Sequence, residues 1–114
     1  MSFPKEDIFE LSERELGGAC RILGYPARIR ILNELRKNGA MRAKDVCQSV
    51  PLHPTTVSEH LRKLRLAGLI DVRVEGLSNW YTFNEQACRT SWEIIKRFFT
   101  AMGVPGVDEP SDEM

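Results

Sequence analysis

The sequence predicts a mainly α domain carrying one β-hairpin, and three features of it do so. The stretch "PLHPTTVSEHLRKLRLAGLI", Pro51–Ile70, reads as a turn entering a helix that stops at Ala67-Gly68. Directly after it, in "LIDVRVEGLSNWYTF", Ile70, Val72 and Val74 alternate with charged residues before a glycine and an aromatic return. Elsewhere the apolar residues recur at helical spacing. At 114 residues the length fits one domain, large enough for a core and small enough to gain from association.

Each element has a local cause. "SERE", Ser12–Glu15, has the pattern of a capping box and predicts a helix to about Gly24, with Leu16, Cys20 and Leu23 on one face. Pro26 suits the first turn of a second helix presenting Ile29, Ile31, Leu32 and Leu35, which "RKNG" ends at Gly39. A short third helix is expected over about Ala43 to Ser49, because Pro51 restricts Val50. Pro54 restarts a helix that ends at Gly68. The hairpin that follows is expected to turn through a loop of four or five residues around Glu75-Gly76. A last helix covers about Glu85 to Met102. We divide the chain into a domain over residues 1–103 and a polar, proline-containing tail, 104–114, expected to be mobile. Helix, tight turn, helix and hairpin in that order make a winged helix-turn-helix.

Composition narrows the function. Hydrophobic residues at 42% and charged residues at 28% are globular values. No stretch approaches the eighteen apolar residues of a membrane span, and no leader is indicated. Three cysteines without close spacing, Cys20, Cys47 and Cys88, fit free thiols in a cytoplasmic protein. Net charge is zero but unevenly spread. Residues 21–73 hold eleven Lys/Arg against four Asp/Glu, while the flanking segments are acidic. A basic middle is a local footprint for a polyanion. There is no phosphate-binding glycine loop, nucleophile elbow or histidine pair at metal spacing, so an enzyme is not expected.

On a helical wheel of Pro54–Ala67, Val57, Leu61 and Leu64 form one stripe, and Thr55, Ser58, Glu59 and Arg62 project oppositely with Arg65 at the edge. Small hydroxyls in the first turns suit base edges, and the cations suit phosphates. Double-stranded DNA is therefore the expected partner. A winged-helix protein-interaction module is the alternative, and an apolar outer face would mark it. Glu59 can accept from a cytosine amino group, or form an ion pair within the helix with Arg62 or Lys63.

"CRILGYPARIRILNEL", "TTVSEHLRKLRLAGLI" and "VEGLSNWYTFN" together resemble the ArsR family of bacterial winged-helix repressors, over about residues 15–100. The resemblance implies a homodimer that binds an operator near a promoter and releases it when an inducer binds. It places base contacts at Thr55, Thr56, Ser58 and Glu59, with Arg62 near the backbone, and a wing at Arg73 and Gly76–Asn79. Many relatives carry a cation after the wing glycine where this chain has Leu77, so Asn79 or Arg73 would substitute. Arg42 and Lys44 stand where metal-sensing relatives place thiolates, and residues 84–102 hold no His or Asp for the other known site. No metal or cofactor is expected, and the inducer, a small molecule for example, is unspecified. His53, His60 and Cys47 lack an obvious fourth zinc ligand, and His60 falls beside the apolar stripe as a packing residue. Cys20 and Cys88 are read as packing residues, with a thiol switch through them as the alternative. In the last helix Cys88, Trp92, Ile95, Phe99 and Met102 recur at spacings of 4, 3, 4 and 3, a heptad-like seam widened by Ile94, Phe98 and Ala101. With Leu16, Cys20 and Leu23 this seam is the expected dimer interface.

Overall fold

The computed structural model describes residues 8–105. The order is α1 (Leu11–Leu23), α2 (Pro26–Asn38), β1 (Met41–Arg42), α3 (Ala43–Ser49), α4 (Pro54–Leu66), β2 (Ile70–Glu75), β3 (Ser78–Phe83) and α5 (Glu85–Ala101). The strands form an antiparallel sheet in the order β1-β3-β2. This is the predicted architecture, five helices with a hairpin wing. Of the tail, only Val104 and Pro105 fall among the described residues.

The core is built where α2, α3 and α4 meet the base of the sheet. Ile31 and Leu35 from α2, Val46 from α3, and Val57, Leu61 and Leu64 from α4 are buried, together with Val50, Met41, Leu69 and Ile70. Burying a side chain of this size stabilises the fold by roughly 1.5–3 kcal/mol. The α4 stripe is the one the wheel placed inward. Helix α4 ends as Gly68 takes φ +82°, the Gly68 amide bonding the Arg65 carbonyl at 2.9 Å and the Leu69 amide that of Leu64 at 3.0 Å. These are the two bonds of a Schellman motif, and the buried pair Leu64 and Leu69 closes it. The chain thus reverses straight into β2.

Two local expectations are corrected. The cap of α1 is Glu10, two residues before the expected Ser12: the Glu13 carboxylate accepts from the Glu10 amide at 2.9 Å. Ser12 lies inside the first turn, because the Arg14 amide already bonds the Glu10 carbonyl at 3.0 Å. Two glutamates at suitable spacing were available, and the earlier one is used. The hairpin loop is two residues, not four or five, since Glu75 pairs with Ser78 and leaves only Gly76-Leu77 between the strands. Gly76 has φ +62° and Leu77 does not have positive φ. That sign pattern belongs to a type II′ turn, which matches the twist of the flanking strands. Helix α3 spans the expected residues, and ahead of it Met41-Arg42 forms β1, a strand that the sequence reading did not include, pairing with Tyr81 and Trp80.

At the far end of the wing Asn84 ties the hairpin to α5. Its amide donates to the Leu69 carbonyl at 2.9 Å, and its side-chain oxygen caps α5 by accepting from the Ala87 amide at 3.0 Å. The same side chain donates to the Asp71 carboxylate at 3.1 Å.

Candidate nucleic-acid interface

The approach to α4 is tightly shaped. Pro51 follows the end of α3, the Leu52 amide bonds the Val50 carbonyl at 2.7 Å, and Pro54 occupies the first turn. His53 caps the helix, its Nδ1 accepting from the Thr55 amide at 3.2 Å. Val57, Leu61 and Leu64 anchor the inner face, which turns Thr55, Thr56, Ser58, Glu59, Arg62 and Arg65 outward, all exposed. Among the described residues no hydrogen bond engages the hydroxyls of Thr55, Thr56 or Ser58, so they are free to meet a ligand. Arg65 likewise has no ion pair among the described residues.

Glu59 is held within its own helix. Arg62 Nη1 lies 3.2 Å from its carboxylate and Lys63 Nζ 4.0 Å from it. Such exposed pairs contribute at most about 1 kcal/mol. Their effect here is electrostatic: one carboxylate between two cations leaves the outer face of α4 net positive.

The wing separates the two residues that the sequence offered in place of a cation after the wing glycine. Arg73 pairs across the sheet with Trp80, and Asn79 with Val74. Side chains alternate along a strand, so Arg73 and Asn79 stand on opposite faces of the hairpin. The Arg73 face carries a row that sequence reading missed: Arg42 on β1, Trp80 on β3 and Arg73 on β2 lie in register. The Arg42 guanidinium sits 5.2 Å from the Trp80 ring centroid. Each arginine also has an acid, Asp45 at 3.2 Å and Glu75 at 2.8 Å. Only strand pairing brings residues 42, 73 and 80 together, so no local pattern could have shown the row. At the tip Leu77 is fully exposed.

Among the described residues there is no group of three His, Cys, Asp or Glu placed to hold a metal ion. The two imidazoles are occupied otherwise, His53 as the α4 cap and His60 as acceptor from Arg28 Nε at 3.1 Å. Cys47 packs against the core. Cys88 does so too, with its sulfur 3.8 Å from the Leu69 carbonyl, and burial pushes its thiol pKa up. That environment disfavours the reactive thiolate. Cys20 is exposed.

Of the remaining seam residues, Leu16, Leu23 and Ile95 are half-buried, while Trp92, Phe99 and Met102 are 49%, 45% and 66% exposed. Leu16 lines one side of a groove of about 460 Å³ between α1 and α5, opposite Ile94, Phe98 and Ala101. No helix among the described residues is long and apolar enough to cross a membrane.

The comparisons with known proteins follow the same outline. The family model described as "Bacterial regulatory protein, arsR family" matches residues 25–72, the stretch from α2 into β2. An uncharacterized HTH-type transcriptional regulator of Methanocaldococcus jannaschii is 33% identical over 76 residues, covering 67% of this chain and 82% of that protein. The transcriptional repressor PagR of Bacillus anthracis is 33% identical over 64 residues, covering 56% of this chain and 64% of PagR. An ArsR-like regulator from Rhodococcus sp. RHA1 superposes with a TM-score of 0.68 at 20% identity, over 81% of this chain and 86% of its own, which establishes a shared fold. With the helix-turn-helix, the wing and the outward cations and hydroxyls of α4, these matches place the chain in the arsR family, as a DNA-binding transcriptional regulator.

Proposed function

We propose that the chain is a homodimeric repressor acting in the cytoplasm, which lays α4 of each copy in the major groove of a pseudo-palindromic operator. The observation that carries this reading is the outer face of α4. Its hydroxyls are unengaged, its one carboxylate is neutralised within the helix, and its buried stripe fixes which side faces out. Thr55, Thr56 and Ser58 would read base edges, and Arg62 and Arg65 would contact phosphates. The row Arg42, Trp80 and Arg73 or, from the other face, Asn79 would touch the flanking backbone. PagR is called a repressor, and that direction of control is carried over from it.

The second copy is proposed on the terminal helices. Trp92, Phe99 and Met102 leave apolar surface on α5, and Ile8, Phe9 and Leu11 leave more at the start of α1. An exposed patch of this kind marks an interaction surface. Two-fold symmetry would set the half-sites about 34–36 Å apart, one turn of duplex. An inducer of unspecified chemistry would release the operator.

Binding selection on random duplexes, with sedimentation of the selected complex, tests the reading. The expected result is an inverted repeat bound by two chains. Enrichment of no inverted repeat, or a complex holding a single chain, would count against it.

A further inference from the structure

We propose that Arg28 and His60 are a positioning pair that holds α4 against the junction of α1 and α2 in the orientation needed for reading DNA, and that only neutral His60 can do so. The inference rests on the reading of α4 given above.

Arg28 is the only buried charged side chain among the described residues, 6% exposed, and it has no carboxylate partner there. A buried cation is normally paired. This one is held by neutral groups instead. Its Nε donates to His60 Nδ1 at 3.1 Å and its Nη1 to the Ile22 carbonyl at 3.1 Å. The guanidinium carbon lies 4.1 Å from the Tyr25 ring centroid, a cation–π contact, and the Tyr25 and His60 rings are 5.6 Å apart. Ile22 belongs to the last turn of α1, Arg28 to the first turn of α2, and His60 to the middle of α4. One side chain therefore joins three helices. On α4 the joint falls between Ser58 and Arg62 in sequence, directly behind the outer face.

The imidazole can accept at Nδ1 only while that nitrogen is bare, so the proton of the neutral ring sits on Nε2. A second proton at Nδ1 would set donor against donor and cation against cation at the same 3.1 Å separation. Burial, and next the Arg28 charge, lower the His60 pKa below its usual 6.5, while Glu59 on the same helix pulls it the other way. Arg28 on α2 and Glu59 on α4 are the charged groups that act on it. Tyr25 is the titratable neighbour, and no charged group of α3 or β2 acts on it. The folded chain thus takes this proton less readily than the unfolded one. The stability the contact contributes is complete above about pH 6.5 and is lost as pH falls through the lowered folded value.

The sign of the expected DNA effect is diagnostic. A proton adds positive charge, which by itself strengthens binding to a polyanion. Loss of affinity on acidification therefore reports displacement of α4 and not a change of net charge.

The test compares the full-length wild type with His60→Asn, which keeps an acceptor oxygen near the Nδ1 position but cannot take up a proton. His60→Gln is a second version should the first fold poorly, and His53→Asn controls for the helix cap. Affinity for a selected duplex at fixed salt is measured from pH 7.5 to 5.5, and hydrogen exchange of the α4 amides is followed over the same range without DNA. We expect wild type and His53→Asn to lose affinity severalfold on acidification, with α4 protection falling in parallel, and the His60 variants to lose neither. Identical exchange profiles for wild type and the His60 variants overturn the inference. So does a wild-type imidazole nitrogen spectrum at pH 7.5 showing the proton on Nδ1. Differing exchange with identical pH dependence of DNA binding also overturns it, because the contact then does not serve reading. Should no duplex bind at any pH, the proposed function fails while the exchange arm still decides whether Arg28 and His60 dock α4.

Discussion

The central helices and the terminal helices solve the same problem to different degrees. In α2, α3 and α4 the apolar stripe is covered within the chain, and Ile31, Val46, Val57 and Leu64 have no exposed surface left. Helices α1 and α5 pack on each other, yet neither contains a buried residue, and α5 keeps Trp92, Phe99 and Met102 in contact with solvent. An amphipathic helix reaches its full stability only when its apolar face is covered. The middle of the molecule is thus finished by intramolecular packing, and its ends keep apolar surface that the chain itself leaves uncovered.

That contrast can be broken from either side. Leu61→Ala should cost about 2–5 kcal/mol, because the site is closed on every side and cannot collapse, and urea unfolding reads it directly. Next in size, Ile95→Asp with Phe99→Asp should spare most of the core yet weaken self-association by on the order of 30-fold or more, as for loss of an interface hot spot. Sedimentation velocity decides this; an unchanged dimer would move the interface off α5. On the outer face of α4, Ser58→Ala should cost about 1–3 kcal/mol at one base position, while Arg62→Ala weakens all duplexes alike and reduces the log–log salt slope by about 0.9. Equal losses on every duplex for Ser58→Ala would remove it from base reading. The smallest effect concerns metals. Stoichiometric zinc, cadmium or arsenite should leave operator affinity unchanged, and tight binding of one ion per chain by equilibrium dialysis, coupled to release, would falsify this.

What the sequence disclosed follows the range of the interactions involved. Helices α2 and α3 lie where Pro26, Gly39 and Pro51 bound them, and the inward stripe of α4 follows from a local period. The two-residue turn carried a readable sign, glycine at its first central position, but loop length is fixed only once Glu75 and Ser78 pair. Strand β1 is two residues whose identity as a strand exists through Tyr81 and Trp80, some forty residues later. His60 was legible as a packing residue, but its donor Arg28 lies 32 positions away and no period links them. The charge of Glu59 could be read two ways, and the geometry shows the ion pair. For the hydroxyls of Thr55, Thr56 and Ser58 the structure adds exposure and freedom from hydrogen bonds among the described residues.

The Asn84 knot makes the wing and α5 a single lever. One side chain caps the helix and grips Asp71 on the hairpin, and its backbone amide holds Leu69. Neither element can swing without breaking these bonds. A six-residue hairpin arm is about 20 Å long. A tilt of α5 by about 5° transmitted rigidly along that length moves the tip by about 2 Å, enough to make or lose a hydrogen bond to a phosphate. A rotation of α5 would therefore reach Gly76 and Leu77 through Asn84, and would reach α4 as well, because the Leu69 amide bonds the Leu64 carbonyl.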